Sequence, residues 1–275
     1  PIFIDSEESS WNMCPKSLEM ALKLHKPKAV IVTNIYGQSA NYNLISQICD
    51  YYKVPIIEDA AESLGADYNS KKCGSFGEMS ILSFNGNKII TTSGGGMLLS
   101  NNKKFIEKAR KLSTQSREDA FHYEHTEIGY NYRMSNILAA VGRAQLKSLD
   151  NYIRIRRDIF DYYSKNLKNI DGIKLMPEII NGKSSRWLTT LLLREKSHKD
   201  IEDIIKYFLK ENIEVRPIWK PMHLQPVFEG NLFYHSSPNP LTRDLFEHGL
   251  CLPSGSSMSI GDMDRIISIL LTQIK

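Results

Sequence analysis

The sequence contains little cysteine, and its four cysteines lack the spacing of a disulfide framework or a metal site. They lie far apart in the chain, at Cys14, Cys49, Cys73 and Cys251. Scattered free thiols are typical of proteins that stay in a reducing compartment. We therefore expect a cytoplasmic protein that has no structural disulfides and binds no metal.

The sequence also has little net charge and no long apolar run. The formal net charge of +4 over 275 residues is small, so it does not indicate a protein that binds nucleic acid. No apolar run approaches the ~20 residues that are needed to cross a bilayer. The composition, 41% hydrophobic and 24% charged, is that of a globular protein. We expect neither a nucleic-acid partner nor a membrane partner.

Apolar, β-branched runs alternate with helical patterns in the first half of the chain, which predicts an α/β fold with a mostly parallel sheet. The predicted strands are 28–34, 53–60, 79–84 and 95–100, and the predicted helices are 43–52 and 102–112. The chain opens with the strand-like run "PIFID" and without methionine. We therefore expect that an N-terminal portion of the large domain is missing.

A long helical pattern follows Ser135, a predicted N-cap, and runs to Leu167. We interpret it as one helix that links two domains, a large domain over residues 1–150 and a smaller C-terminal α/β domain over residues 151–275. In the smaller domain we predict a strand in 186–193, helices over 199–212 and 261–274, and an ordered loop over 216–228.

Polar side chains follow two of the predicted strands. Asp59 lies where one strand ends, while Ser83, Asn85 and Lys88 lie at the end of another. Ligands of α/β sheets bind at the carboxyl ends of strands, so these side chains can meet around one ligand. Pyridoxal phosphate (PLP) needs such a set: a lysine amine for its aldehyde, a carboxylate for its ring nitrogen, and hydroxyl or amide donors for its phosphate. These residues alone leave two alternatives open, a helix-capping role for Asp59 and a surface position for Lys88.

A glycine triplet, Gly94–Gly96, lies shortly after Lys88. Glycine adopts backbone angles that other residues avoid, so the triplet predicts a tight turn that lets the chain fold closely around a ligand. A nucleotide-phosphate loop is the competing interpretation. The spacing matches neither G-x-G-x-x-G nor the P-loop pattern, which argues against that loop.

The longer sequence around these residues resembles the DegT/DnrJ/StrS family of PLP-dependent nucleotide-sugar aminotransferases. The resemblance is carried by "PIIEDAAESLGADYNSKKCGSFGEMSILSFNGNKIITTSGGGMLLSNN" (55–102), "GYNYRMSNILAAVGRAQL" (129–146) and "YGQSANYNLI" (36–45). Within the family, "RWL" (186–188) and "CLPSG" (251–255) are most similar to the UDP-4-keto-6-deoxy-GlcNAc 4-aminotransferases of the bacillosamine pathway (PglE-like). The resemblance implies the aspartate aminotransferase fold, known as fold type I of PLP-dependent transferases.

The resemblance also implies roles for individual residues. Lys88 is implied as the catalytic lysine that forms the imine, and Asp59 as the partner of the pyridine nitrogen. Asn131, in "GYNYR", is implied to reach the phosphate of the neighbouring subunit's cofactor, so we expect a homodimer with shared active sites. The remaining cofactor contacts that we expect are Ser83 and Asn85 near the phosphate, Glu62 near the ring oxygen, and Ala61 beside the ring.

We expect four residues of the chain to contact the substrate. The candidates are Arg133, Arg186, Trp219 and His223. Arg133 has a salt bridge as its alternative role. The resemblance implies a reaction in which L-glutamate gives its amino group to the C4 keto group of a UDP-linked 4-keto-6-deoxy amino sugar, for bacterial glycan biosynthesis.

Three other functions compete with this one. A sugar dehydratase of the same family has histidine where this chain has Lys88, so Lys88 argues against it. An aminotransferase for another nucleotide-linked ketosugar is the second alternative. The third is a non-catalytic remnant that dimerises but lacks cofactor contacts. The resemblance includes an N-terminal phosphate-binding loop that nothing before Pro1 supplies, which favours weak cofactor binding.

Overall fold

A computed structural model describes residues 1–274 of the chain. Its helices are α1 (Pro15–Leu24), α2 (Tyr42–Tyr52), α3 (Lys103–Ser113), α4 (Asn136–Leu146), α5 (Leu149–Leu167), α6 (His198–Lys210), α7 (Leu241–His248) and α8 (Ile260–Ile274). Its strands are β1 (Ile2–Ile4), β2 (Val30–Thr33), β3 (Ile56–Asp59), β4 (Asp67–Tyr68), β5 (Lys71–Lys72), β6 (Met79–Ser83), β7 (Gly96–Leu99), β8 (Ile173–Leu175), β9 (Gly182–Lys183), β10 (Thr189–Leu193), β11 (Arg216–Pro217), β12 (Leu232–Tyr234) and β13 (Gly249–Leu252).

The first half of the chain forms a four-stranded sheet in the order β2-β3-β6-β7. The first three strands are parallel and β7 is antiparallel to β6. This arrangement confirms the predicted mostly parallel sheet and its four strands. Helices α1 and α2 cover one face, where Leu18, Leu22 and Ile45 pack against Val32 and Ile56.

A charged residue lies in the middle of this sheet. Glu58 of β3 is fully buried. Its carboxylate accepts hydrogen bonds from the Asn34 side chain (2.8 Å), the Gly74 and Phe76 amides (2.6 and 2.7 Å) and the Ser80 hydroxyl (3.0 Å). A buried carboxylate is tolerated when such donors replace its water. Glu58 therefore has a structural role, which leaves its neighbour Asp59 as the carboxylate at the sheet edge.

The second half of the chain forms an antiparallel sheet in the order β11-β13-β10-β8. Strand β10 is buried along its whole length. Helices α5, α6 and α8 pack on this sheet through a cluster that includes Tyr163, Leu191, Phe208 and Leu270. The predicted strand in 186–193 and the two predicted helices of this region are confirmed.

The single long helix expected after Ser135 is wrong. Helix α4 ends at Leu146 and α5 begins at Leu149. Ser148 between them has φ −103° and ψ 3°, which is outside the helical region. The two helices differ in burial: α4 has no buried residue, whereas α5 buries Ile153 and Tyr163 among others. Periodicity alone does not reveal such a break.

A third apolar cluster, here called the seam cluster, lies between the two sheets. It joins Trp11 and Tyr36 from the first half of the chain to Trp187, Leu192 and Ile218 from the second half. Ile89, one residue after Lys88, belongs to the same cluster. The seam cluster therefore fixes the loop that carries Lys88 relative to the C-terminal sheet.

Asp5 connects the two ends of the chain. Its buried carboxylate accepts hydrogen bonds from the Leu241 amide (3.0 Å), the Thr242 amide (2.9 Å) and the Thr242 hydroxyl (2.8 Å) at the start of α7. Strand β1 also pairs with β12. This carboxylate thus caps a helix that lies more than 230 residues away in sequence.

We expect Asp5→Ala to lower the free energy of unfolding by about 2–4 kcal/mol, because it removes a helix cap and leaves buried donors without acceptors. Asp262→Ala is the matched control, since Asp262 accepts from the Ser259 amide and hydroxyl at the exposed start of α8. That control should cost about 1 kcal/mol or less. Urea unfolding of both variants measures the difference, and equal losses would show that burial of Asp5 adds nothing.

Residues 1–274 contain neither a membrane-spanning helix nor a metal-binding cluster. In that part of the chain no helix has the length and apolarity to span a membrane. Within the same residues, no three histidine, cysteine, aspartate or glutamate side chains converge as metal ligands.

Candidate functional site

Three successive strands of the parallel sheet deliver polar residues to the same edge. Tyr36 follows β2, Asp59 ends β3 with Glu62 three residues later, and Ser83 ends β6. Lys88 lies in the loop 84–95 between β6 and β7. Because β2, β3 and β6 are parallel, their carboxyl ends lie together.

The loop that carries Lys88 is held by its own backbone and by glycine. The Phe84 carbonyl accepts hydrogen bonds from the Thr92 amide (2.9 Å) and the Thr91 hydroxyl (3.1 Å). Gly95 has φ +87°, and a Cβ on Gly96 would lie 2.3 Å from the Leu82 carbonyl oxygen. The predicted tight turn is thus formed by the second and third glycines of the triplet.

The amine of Lys88 is largely enclosed, with 13% of the side chain exposed. Its Nζ lies 3.5 Å from Glu62 Oε1 on one side. On the other side it lies 4.1 Å from the centre of the Trp187 ring. Lys88 is therefore not a surface lysine, and the alternative that its immediate neighbours left open is wrong.

Glu62 is oriented by the turn that follows β2. Its Oε2 accepts a hydrogen bond from the Tyr36 amide (3.0 Å), and Tyr36 has φ +55°. Burial raises the pKa of Glu62 above its ordinary value, while the Tyr36 amide and the Lys88 amine oppose that rise. The carboxyl and the amine therefore form a partly desolvated acid–base pair.

Asp59 is half-buried at the end of β3. Its Oδ1 accepts a hydrogen bond from the Ala61 amide (3.1 Å), a local turn contact. No donor among the described residues bonds to its Oδ2. One carboxylate oxygen thus stabilises the turn, and the other can accept from a ligand.

Ser83 and Asn85 lie beside each other at the end of β6. The Ser83 hydroxyl accepts from the Asn85 amide at 3.3 Å, and the Asn85 side chain donates to the Asn87 side chain at 3.2 Å. The hydroxyl hydrogen of Ser83 can rotate toward a ligand. Both residues lie within five positions of Lys88.

Trp219 is brought to the site, whereas His223 lies elsewhere. The Trp219 amide donates to the Tyr36 hydroxyl (2.8 Å), and its ring lies 6.5 Å from that of Trp187. His223 instead stacks on Phe233 with ring centres 3.7 Å apart, and it lines an apolar groove with residues of β1 and α1. Burial lowers the pKa of His223. Its contact with substrate stays a prediction.

Arg186 is enclosed by protein. Its guanidinium lies 3.6 Å from the Phe160 ring centre and donates to the Met176 carbonyl (3.1 Å). Burial lowers the pKa of Arg186 to about 10. Asn131 and Arg133 lie on the exposed segment 114–134, where Asn131 forms a β-bridge with Thr114. The substrate and cofactor roles of these three residues stay predictions.

Tyr36 was not predicted as a site residue, and for Trp187 the sequence left a substrate contact and a core position equally open. Tyr36 orients Glu62 and contacts Trp219, and Trp187 lies against Lys88. The sequence holds one signal for Tyr36, because the turn "IYG" follows a predicted strand of the sheet, where ligands gather. No local signal separates Trp187 from an ordinary core residue.

The residues at this edge fit PLP. The Lys88 amine, the free carboxylate oxygen of Asp59 and the Ser83 hydroxyl supply the groups that the aldehyde, the ring nitrogen and the phosphate require. These partly buried polar groups lie at or shortly after the carboxyl ends of parallel strands, where α/β proteins bind ligands.

Comparison with known proteins agrees with this chemistry. Residues 1–271 match the model of the DegT/DnrJ/EryC1/StrS aminotransferase family. The chain is 54% identical over 277 residues to EpsN of Bacillus subtilis (strain 168), a protein provisionally named as a PLP-dependent aminotransferase, and the match covers 98% of this chain and 71% of EpsN. It is 34% identical over 259 residues to the GDP-perosamine synthase of Escherichia coli O157:H7, covering 94% of this chain and 69% of that enzyme.

A solved structure shares the fold. The crystal structure of a DegT DnrJ EryC1 StrS aminotransferase from Brucella abortus superposes with a TM-score of 0.87 at 26% identity. The match covers 99% of this chain and 73% of the Brucella chain.

Proposed function

Because the chain belongs to the DegT/DnrJ/EryC1/StrS aminotransferase family, we propose that it moves an amino group from L-glutamate to the C4 keto group of a UDP-linked 4-keto-6-deoxy amino sugar. It is a PLP-dependent sugar aminotransferase of fold type I. The proposal goes beyond the family in four respects: the amino donor, the nucleotide, the sugar and the use of the product in bacterial glycan synthesis. One observation carries the proposal: the Lys88 amine is enclosed beside Glu62 at the sheet edge that also carries Asp59.

PLP supplies an electron sink that stabilises negative charge on the carbon next to the transferred nitrogen. The free oxygen of Asp59 would hold the ring nitrogen protonated, which sustains that sink. The other proposed contacts are Lys88 with the aldehyde carbon, Glu62 near the ring oxygen, Ala61 beside the ring, and Ser83 and Asn85 with the phosphate.

Lys88 is proposed to move the proton. In the first half-reaction the neutral Nζ would take the proton from the α-carbon of glutamate and pass it to the cofactor carbon; in the second it would take a proton back from that carbon and, as the ammonium, deliver it to C4 of the sugar. Glu62 Oε1, 3.5 Å away, can hold a proton near that amine. Burial raises the pKa of this carboxyl, so it accepts a proton closer to neutral pH than an exposed glutamate does.

The proposed assembly is a homodimer in which Asn131 reaches the partner's cofactor phosphate. The segment around Asn131 exposes five large hydrophobic side chains, Phe121, Tyr123, Ile128, Tyr130 and Tyr132. A concentration of apolar side chains on one exposed segment is typical of a protein–protein interface. Arg133 lies on the same segment and is proposed to contact substrate.

The proposed location is the cytoplasm. The four cysteines are free and buried. This arrangement suits a reducing compartment, where thiols are not oxidised to disulfides.

An aminotransferase for another nucleotide-linked ketosugar is the second candidate. The relative that is 34% identical is named for a GDP-linked sugar, whereas the sequence resemblance indicates UDP. The test must therefore offer both nucleotides.

The purified protein should turn yellow with PLP, and its absorbance should shift when L-glutamate is added. Subsequent addition of a UDP-linked 4-keto-6-deoxy sugar should restore the first spectrum and yield the 4-amino sugar by mass spectrometry. The GDP-linked ketosugar is the control for the nucleotide.

Other outcomes would contradict the proposal in separate ways. A spectrum restored faster by the GDP sugar would favour the second candidate. A protein that stays colourless with added PLP would favour the non-catalytic remnant.

A further inference from the structure

The indole of Trp187 contacts the Lys88 loop in two ways. Its Nε1–H donates a hydrogen bond to the Asn87 carbonyl (2.8 Å), the peptide group that leads into Lys88. Its ring face also lies 4.1 Å from the Lys88 amine. One side chain therefore fixes both the backbone next to the lysine and the lysine's reactive nitrogen.

Trp187 itself has little freedom to move. The residue is 2% exposed. Its carbonyl accepts a hydrogen bond from the buried guanidinium of Arg156 (2.6 Å), which also donates to the Ser254 carbonyl (3.0 Å). A Cβ on Gly37 would lie 2.6 Å from the Trp187 nitrogen, so the turn after β2 presses directly against this backbone.

Two groups of different chemistry contact the Lys88 amine, a carboxylate and an aromatic ring. Glu62 Oε1 attracts the ammonium as an opposite charge at 3.5 Å, and the indole face attracts it through the ring quadrupole. Tyr36 and Trp219 complete the surroundings, since the Tyr36 amide orients Glu62 and the Trp219 amide donates to the Tyr36 hydroxyl. The two contacts restrain the amine in position and in direction.

We propose that Trp187 is a positioning residue for Lys88, holding the free amine next to Glu62 and within reach of the reacting carbon during each turnover. The catalytic part of this proposal rests on the proposed aminotransferase function. The alternative is that Trp187 only fills the seam cluster. Trp11 offers a comparison, because it is equally buried in the same cluster.

The test compares Trp187→Leu and Trp187→Phe with the matched control Trp11→Leu. The first readout needs no cofactor: cyanate labels amines, and mass spectrometry of the Lys88 peptide gives the labelling rate of that residue. Loss of a cation–π contact should raise the Lys88 rate in Trp187→Leu on the order of 3- to 30-fold. Trp187→Phe keeps a ring face but loses the hydrogen bond to the Asn87 carbonyl, so its rate should lie between those of wild type and Trp187→Leu, whereas Trp11→Leu should stay near the wild-type rate.

The second readout is steady-state transamination after loading with PLP. In Trp187→Leu we expect kcat to fall on the order of 10-fold while KM for L-glutamate stays unchanged, since a displaced proton carrier slows chemistry without weakening donor binding. Trp187→Phe should recover most of the kcat. Thermal unfolding checks that each variant folds, and Trp187→Met replaces Trp187→Leu if that variant does not fold.

Equal Lys88 labelling in Trp187→Leu and Trp11→Leu would overturn the proposal, as would equal losses of kcat in the two variants. A wild-type protein that does not transaminate would refute the proposed function instead. In that case the labelling comparison still decides whether Trp187 holds the Lys88 amine.

Discussion

Lys88→Ala is expected to lower turnover by ~10⁴-fold or more, because one residue both attaches the cofactor and moves the proton. The structure places this amine in an enclosed position between Glu62 and Trp187. Alanine removes the nucleophile and the proton carrier together. Steady-state assay of L-glutamate with the ketosugar measures the loss.

Two further variants sharpen this result. Lys72→Ala is the matched control, because Lys72 is an exposed lysine of the same half of the chain that pairs with Asp67, and its turnover should equal that of wild type. Lys88→Arg keeps a positive charge beside Glu62 but cannot supply a neutral amine at working pH. It should be as inactive as Lys88→Ala. Substantial turnover in either Lys88 variant would refute the catalytic role.

Asp59→Asn is expected to lower kcat by about 10²–10³-fold, comparable to the loss of one preorganised electrostatic contact in other enzymes. The substitution distinguishes the contact of Asp59 with the turn from its proposed role as the partner of the cofactor's ring nitrogen. Asparagine keeps a side-chain oxygen that can accept from the Ala61 amide, so the local turn is preserved. It removes the negative charge that would hold the cofactor's ring nitrogen protonated.

A role in the turn alone predicts no loss of kcat in Asp59→Asn. Asp50→Asn is the control, since Asp50 is an exposed residue of α2. Unchanged stability with a large loss of kcat in Asp59→Asn supports the electronic role. Unchanged kcat would leave Asp59 as a turn-stabilising residue.

The parts of the site that lie close in sequence could be predicted. Asp59 and Ser83 were placed at strand ends by the alternation of apolar runs, and the strands β3 and β6 confirm those positions. The glycine triplet predicted a tight turn, and the backbone of Gly95 adopts one. Local patterns suffice here because each depends on a few neighbouring residues.

The contacts between distant parts of the chain could not be predicted. Trp187 and Lys88 are 99 positions apart, and their contact depends on how two sheets meet at the seam cluster. The contacts of Arg186, the sequence neighbour of Trp187, could not be predicted either. Its backbone has φ +48°, and its side chain packs on Phe160 while that of its neighbour Trp187 packs on Lys88. Sequence periodicity carries no information about such a turn.

Borohydride reduction of the PLP-loaded protein tests the central claim most directly. Reduction makes the bond between cofactor and amine permanent, and peptide mapping by mass spectrometry then locates the pyridoxyl group. We expect one label per chain, on Lys88. A fully loaded sample whose label lies on any other lysine would contradict the assignment.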